Sequence, residues 1–156
     1  MPTTVNISWD KYIKDIYKLV DKVKDEGFQT ILGVSRGGNI PATIISEKLD
    51  LPLSIISASS YEDKKQKKQK KQRELNIAEG ISNVGALEDR YKVLIVDDLY
   101  DTGNTVLRVI EYLSENFYLK LYSAVIYAKQ KLEKIPYVEE YPKDCWIKFP
   151  YEGEKK

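Results

Sequence analysis

The stretch VLIVDDLYDTGNT, residues 93–105, constrains this chain more than any other. Four apolar residues, Val93 to Val96, run straight into Asp97 and Asp98, and the chain then turns polar. A short apolar run bounded by polar and turn-forming residues reads as a buried strand. The rest of the chain supplies what would cover it. Ser8 can cap a helix in which Trp9, Ile13, Ile16, Leu19, Val20 and Val23 recur at helical spacing, and Gly27 offers the stop. FQTILGVS (28–35) reads as another buried strand, RGGNI breaks it, and Pro41 suits the first turn of a second helix. Further strands are expected at 51–58, at 91–98 and at 119–129, with a helix from Thr102 to Asn116. Short strands follow near Tyr137 and at 145–149. Strands alternating with helices predict an α/β fold, a mostly parallel sheet flanked by helices and joined by right-handed crossovers. Ligands of such sheets sit beyond the carboxyl ends of the strands, so the loops at 35–38, 59–74, 97–105 and from 129 onward matter most.

Composition narrows the chemistry. The 156 residues suit one domain, and 25 Lys and Arg against 24 Asp and Glu carry no message about partners. There is no histidine, which removes Ser-His-Asp and Cys-His catalysis and any His metal site. Acid–base work must fall to Asp, Glu, Lys or Tyr. Cys145 stands alone, so no intrachain disulfide and no Cys-rich zinc site can form. The N-terminus MPTTVNISWD has neither the basic nor the apolar region of a signal peptide. No apolar run approaches the roughly 20 residues that span a bilayer. A soluble, cytoplasmic protein is expected.

The loop after the acids is built to hold an anion. Asp101, Thr102, Gly103, Asn104 and Thr105 open a helix and offer backbone N–H groups and two hydroxyls at the positive end of its dipole. A phosphate monoester suits such a nest. It is not a P-loop, since G-x-x-x-x-G-K-[ST] is absent. Asp97 and Asp98, just before the nest, would accept hydrogen bonds from vicinal hydroxyls or bind a divalent cation. A sugar phosphate fits, with its phosphate in the nest and its ribose hydroxyls on the acids.

This arrangement resembles the thirteen-residue signature of the type I phosphoribosyltransferases, which bind phosphoribosyl pyrophosphate (PRPP). VSRGGNIPA (34–42) resembles the family's pyrophosphate loop, and SSYEDKK…QREL (59–75) its mobile catalytic lid. YAK (127–129) and DCWIKFPYE (144–152) resemble the base-binding elements of bacterial xanthine–guanine phosphoribosyltransferases. The resemblance implies one domain over 1–156, with a Lys-rich lid at 60–74 and a base-binding hood and tail at 129–156. It implies transfer of the phosphoribosyl group from PRPP to a 6-oxopurine, with Mg²⁺ at the acid pair, Asp98 above all. Ser35, Arg36, Gly37 and, from the lid, Arg73 would hold pyrophosphate, and the peptide entering Arg36 is expected to be strained or cis. Lys129 would donate to the 6-oxo group, Trp146 would stack on the purine, and the Ile147 carbonyl would accept from its edge. Glu152 corresponds to an acid near the purine 2-substituent. Asp101 sits where the family places its base. Relatives are oligomers, so a dimer or tetramer is implied.

The chain departs from the pattern in the lid. Eleven residues separate Tyr61 from Arg73, several more than the bacterial pattern has, and the excess is the Lys-Gln run from Lys64 to Gln72. A solvated loop explains such a run. A regulatory relative that senses PRPP and binds nucleic acid would use it on phosphates. The pairing of Lys129 with Trp146 favours the enzyme.

Overall fold

The structure, a computed structural model, describes residues 3–57 and 80–153 of the chain. In chain order the elements are β1 (Thr4–Asn6), α1 (Trp9–Val23), β2 (Thr30–Ser35), α2 (Asn39–Leu49), β3 (Leu53–Ser57), β4 (Lys92–Tyr100), α3 (Asn104–Asn116), β5 (Lys120–Ala128), β6 (Glu139–Glu140) and β7 (Trp146–Lys148). Five strands form one sheet in the order β3-β2-β4-β5-β6, with every neighbouring pair parallel. A separate two-stranded sheet pairs β1 with β7, matching Thr4 to Trp146 and Val5 to Ile147.

The β4 run takes its central place by being apolar on both faces. Leu94 and Val96 pack among Ile16, Leu19, Ala42 and Ile45 of α1 and α2, while Val93 and Ile95 pack against Val109 and Leu113 of α3. All four β4 residues are essentially inaccessible to water. Burial of each contributes about 1.5–3 kcal/mol. A strand placed this way must end where the helices end, so its polar residues emerge together at the carboxyl edge of the sheet.

Helix α1 starts where the sequence puts it. The Ser8 hydroxyl accepts the Lys11 backbone N–H at 3.1 Å, satisfying one of the first-turn donors. The helix buries Tyr12, Ile16, Leu19, Val20 and Val23, whereas Trp9, placed on that face by spacing, is 49% exposed. Tyr12 takes the inner position instead. Asp15, also buried, accepts from the Tyr127 hydroxyl (2.7 Å) and from the Lys11 ammonium (2.9 Å), which in turn reaches Glu139 (2.7 Å). This network ties α1 to the carboxyl ends of β5 and β6. Asp15 is the buried charge of this network, and removing Lys11 or Tyr127 would take one of its partners away.

Several boundaries differ from expectation. β4 runs on through Leu99 and Tyr100, because β5 continues to pair with it at Tyr127 and Ala128. Helix α3 begins at Asn104 and not at Thr102, since Asp101 to Gly103 form a bend in which Gly103 has φ 89°. The strand expected near Tyr137 lies at Glu139–Glu140, where it pairs with Tyr127 and Ala128. β1 was not anticipated: it is three residues long and mostly exposed, so it carries no readable periodicity. The lid residues 60–74, with Ser59, Arg73 and the Lys-Gln run, lie outside the described residues. Among the described residues no helix is long and apolar enough to cross a membrane.

Candidate active site

Strands β2, β4 and β5 deliver their carboxyl ends to one cleft of about 580 Å³, a volume typical of a small-ligand site. Every candidate residue among the described ones lines it, from Ser35, Arg36 and Gly37 at the end of β2 to Trp146 and Ile147 in β7. Residues far apart in the chain are thus brought to one place by the parallel topology.

The loop at 101–105 turns on Gly103 before α3 begins. Gly103 occupies the left-handed region at φ 89°, and a Cβ there would lie 2.3 Å from the Tyr100 hydroxyl. Glycine meets both conditions. Because the residue at the cap has no side chain, α3 opens without a side-chain cap from that position. The Asn104 N–H instead approaches the Thr102 hydroxyl at 3.3 Å. The Gln130 side-chain amide donates to the Asp101 carbonyl at 3.1 Å, which ties this loop to the one after β5. Asp101 and Thr102 are exposed at the cleft mouth.

The acid pair lies deeper. Asp97 is 7% exposed, and its carboxylate accepts the Asp98 backbone N–H at 2.8 Å. The Asp98 carboxylate accepts from the Tyr151 hydroxyl. Burial raises the Asp98 carboxyl above the ordinary range, and the hydrogen bonds from Tyr151, Asp97 and the backbone oppose that rise. Burial also raises the Tyr12 and Tyr151 phenols, and the charge of Asp98 adds to both. The two phenols therefore stay protonated beside the acids.

The SRGG loop closes over Asp98 from the other side. The Ser35–Arg36 peptide bond is cis, as the family pattern implied. A Cβ on Gly37 would lie 2.1 Å from Asp98 Oδ2, and one on Gly38 would lie 2.3 Å from the Val96 carbonyl. A side chain at Gly38 would meet backbone that cannot give way, whereas one at Gly37 would have to displace the Asp98 carboxylate. Arg36 is exposed on the cleft wall.

The base side is built by β5, β7 and the turn after β7. The Lys129 ammonium donates to the Cys145 carbonyl at 2.7 Å, so β7's approach fixes the lysine tip at the cleft. An ammonium has three donors, so two remain for a ligand. Trp146 is 54% exposed and lines the cleft, while its backbone N–H donates to the Thr3 carbonyl at 2.8 Å. Ile147 is 5% exposed.

A family model described as the phosphoribosyl transferase domain matches residues 7–151. The chain belongs to the phosphoribosyl transferase family. The xanthine-guanine phosphoribosyltransferase of Chromohalobacter salexigens is 34% identical over 151 residues, covering 94% of this chain and 82% of that protein. The protein of the same name from Desulfotalea psychrophila is 34% identical over 157 residues, covering 98% of this chain and 89% of its own. The crystal structure of a purine phosphoribosyltransferase from Pyrococcus horikoshii Ot3 superposes with a TM-score of 0.73 at 27% identity, covering 98% of this chain and 96% of that one.

The phosphoribosyltransferase fold also brings in residues that sequence reasoning passed over. Tyr151 reaches Asp98, and the two are 53 positions apart with no pattern linking them. Gln130 braces the anion loop, and Tyr100 packs beneath Gly103. The N-terminal β1 holds β7 in place, although the hood was expected from the C-terminal segment alone. Glu152, already named from the resemblance, lines the cleft, and one of its carboxylate oxygens accepts the Phe149 N–H at 2.8 Å, which closes the turn after β7.

The acid pair also suits a magnesium ion. Mg²⁺ is held by one or two carboxylates together with substrate phosphates, more than by an all-protein cage. Asp97 and Asp98 supply such a pair at the cleft floor. Among the described residues no cluster of three or more His, Cys, Asp or Glu forms a cage of its own.

Proposed function

We propose that this phosphoribosyltransferase moves the 5-phosphoribosyl group of PRPP onto a ring nitrogen of a 6-oxopurine, guanine, xanthine or hypoxanthine. The products are the nucleoside 5′-monophosphate and pyrophosphate, which is a purine salvage reaction. One observation carries the reading: a single cleft joins the loop at 101–105, the buried Asp97 and half-buried Asp98, and Lys129 with the exposed Trp146. The relatives named xanthine-guanine phosphoribosyltransferase support the choice of base.

Each residue then has a role. The loop from Asp101 to Thr105 holds the 5-phosphate at the start of α3. Asp97 and Asp98 hold the ribose hydroxyls, and Asp98 is the foremost ligand for Mg²⁺, which when bound neutralises the departing pyrophosphate. Ser35, Arg36 and Gly37 take the pyrophosphate, Arg36 with its forked donors, and Arg73 is assigned to close over it. The bond from ribose to pyrophosphate breaks toward an oxocarbenium-like ribose, related to the transition state of glycoside hydrolysis. Trp146 stacks on the purine, Lys129 donates to its 6-oxygen, and the Ile147 carbonyl accepts from its edge. Asp101 takes the proton that the purine gives up. The reading treats residues 1–156 as one domain working in the cytoplasm as a dimer or tetramer, which light scattering would resolve.

Lys129→Met tests the base side. Its kcat/KM for guanine is expected to fall about 10- to 100-fold, the worth of a hydrogen bond to a charged donor. KM for PRPP should stay within about twofold, because Lys129 does not touch the phosphates. Steady-state release of pyrophosphate, dependent on both PRPP and guanine, measures both. Wild-type guanine kinetics in Lys129→Met would remove Lys129 from the base site.

A further inference from the structure

We propose that Tyr151 is a positioning residue for PRPP: the base hood reaches across the cleft through this hydroxyl and sets the carboxylate of Asp98. The inference rests on the transferase reading, which gives Asp98 its role at the ribose.

Three observations converge on one carboxylate. The Tyr151 hydroxyl donates to Asp98 Oδ2. The Gly37 backbone of the SRGG loop approaches the same Oδ2 so closely that an added Cβ would lie 2.1 Å from it. Asp97 receives the Asp98 backbone N–H, which fixes the main chain beneath. The carboxylate is thereby held between the pyrophosphate loop and the base hood.

Tyr151 has little freedom to place its hydroxyl elsewhere. Its ring stacks on Phe149 at 5.4 Å with 20° between planes, and leans on Tyr12 at 6.1 Å. Phe149 is 5% exposed and stacks in turn on Tyr127 at 5.9 Å. The turn carrying Tyr151 is closed at both ends: Glu152 accepts the Phe149 N–H, and the Glu152 N–H donates to the Phe149 carbonyl at 3.1 Å. An aromatic column rooted in β5 therefore aims one phenol at Asp98. A carboxylate left free in a partly buried site samples several rotamers. One held by a rigid donor meets the ribose already oriented, which lowers the cost of ordering on binding.

Tyr151→Phe keeps the column and deletes only the hydroxyl. Equilibrium binding of PRPP in the presence of Mg²⁺ is expected to weaken about tenfold, the low end for a hydrogen bond to a charged group. KM for PRPP should rise in parallel, with kcat changed less than about threefold. KM for guanine at saturating PRPP should stay within about twofold, which a disordered hood would not allow. Asp98→Ala, which removes the acceptor, and the double variant complete a cycle. If Tyr151 acts through Asp98, adding Tyr151→Phe to Asp98→Ala costs PRPP binding little more. Effects that multiply, or wild-type PRPP affinity in Tyr151→Phe, would overturn the inference and leave the transferase reading intact. Wild-type protein that binds no PRPP would overturn both.

Discussion

Asp101→Asn is expected to lower kcat for 6-oxopurines by about 10²–10⁴, the range for losing a general base, with PRPP affinity close to wild type. Asparagine has the shape of aspartate but cannot take a proton. The purine must shed one from the attacking ring, and the chain has no histidine to receive it. Asp101 is exposed at the cleft mouth, at the entrance to the anion loop, and its carbonyl is pinned by Gln130. On the proposed reading the loop grips phosphate mainly through backbone N–H groups and hydroxyls, which the substitution leaves in place. Single-turnover kinetics with PRPP prebound would separate the two effects. A variant with wild-type turnover would move the base elsewhere, and one with intact turnover but poor PRPP binding would make Asp101 a phosphate-loop residue only.

Gly37→Ala should cost about 10² in kcat/KM for PRPP while leaving the fold nearly as stable, since a displacement of about 1 Å at a reacting centre costs that much in rate. The new methyl group would come within 2.1–2.7 Å of all three carboxyl atoms of Asp98. That carboxylate is held by a side-chain hydrogen bond from Tyr151 and lines the cleft, so it can yield by giving up that bond, and folding survives. Swinging away breaks its contact with Tyr151 and misplaces the group proposed to meet the ribose. Gly38 makes the contrast, because its added Cβ would meet the backbone carbonyls of Val96 and Val34 at 2.3 and 2.7 Å, and those cannot turn aside. Thermal melting of Gly37→Ala close to that of wild type, together with the kinetic loss, is the expected pair of results. A large drop in melting temperature would mean that Asp98 is too tightly held to yield.

Much of this was legible in the sequence because the signals are local. Val93 to Val96 are buried on both sides, and a run of four apolar residues says so without help from the rest of the chain. The acids and the anion loop follow within nine positions, so their neighbourhood in space is their neighbourhood in sequence. SRGG and Lys129 reach the cleft by the rule that parallel strands present ligands at their carboxyl ends. The misses have the opposite character. β1 exists because β7 offers it a partner, and three exposed residues cannot announce that. Trp9 and Tyr12 lie three positions apart on one helix, and only packing against Tyr127, Phe149 and Tyr151 decides that tyrosine goes inward.

The most direct measurement is kcat/KM for hypoxanthine and for adenine, each with PRPP and Mg²⁺. The two bases share the ring and differ where Lys129 would donate: hypoxanthine offers an oxygen there, adenine an amino group that faces another donor. Hypoxanthine should be preferred by about 10² or more, since a site built around one hydrogen bond rejects the analogue that cannot make it. Adenine consumed as well as hypoxanthine, or neither base consumed while PRPP binds, would contradict the assignment of this cleft to 6-oxopurines.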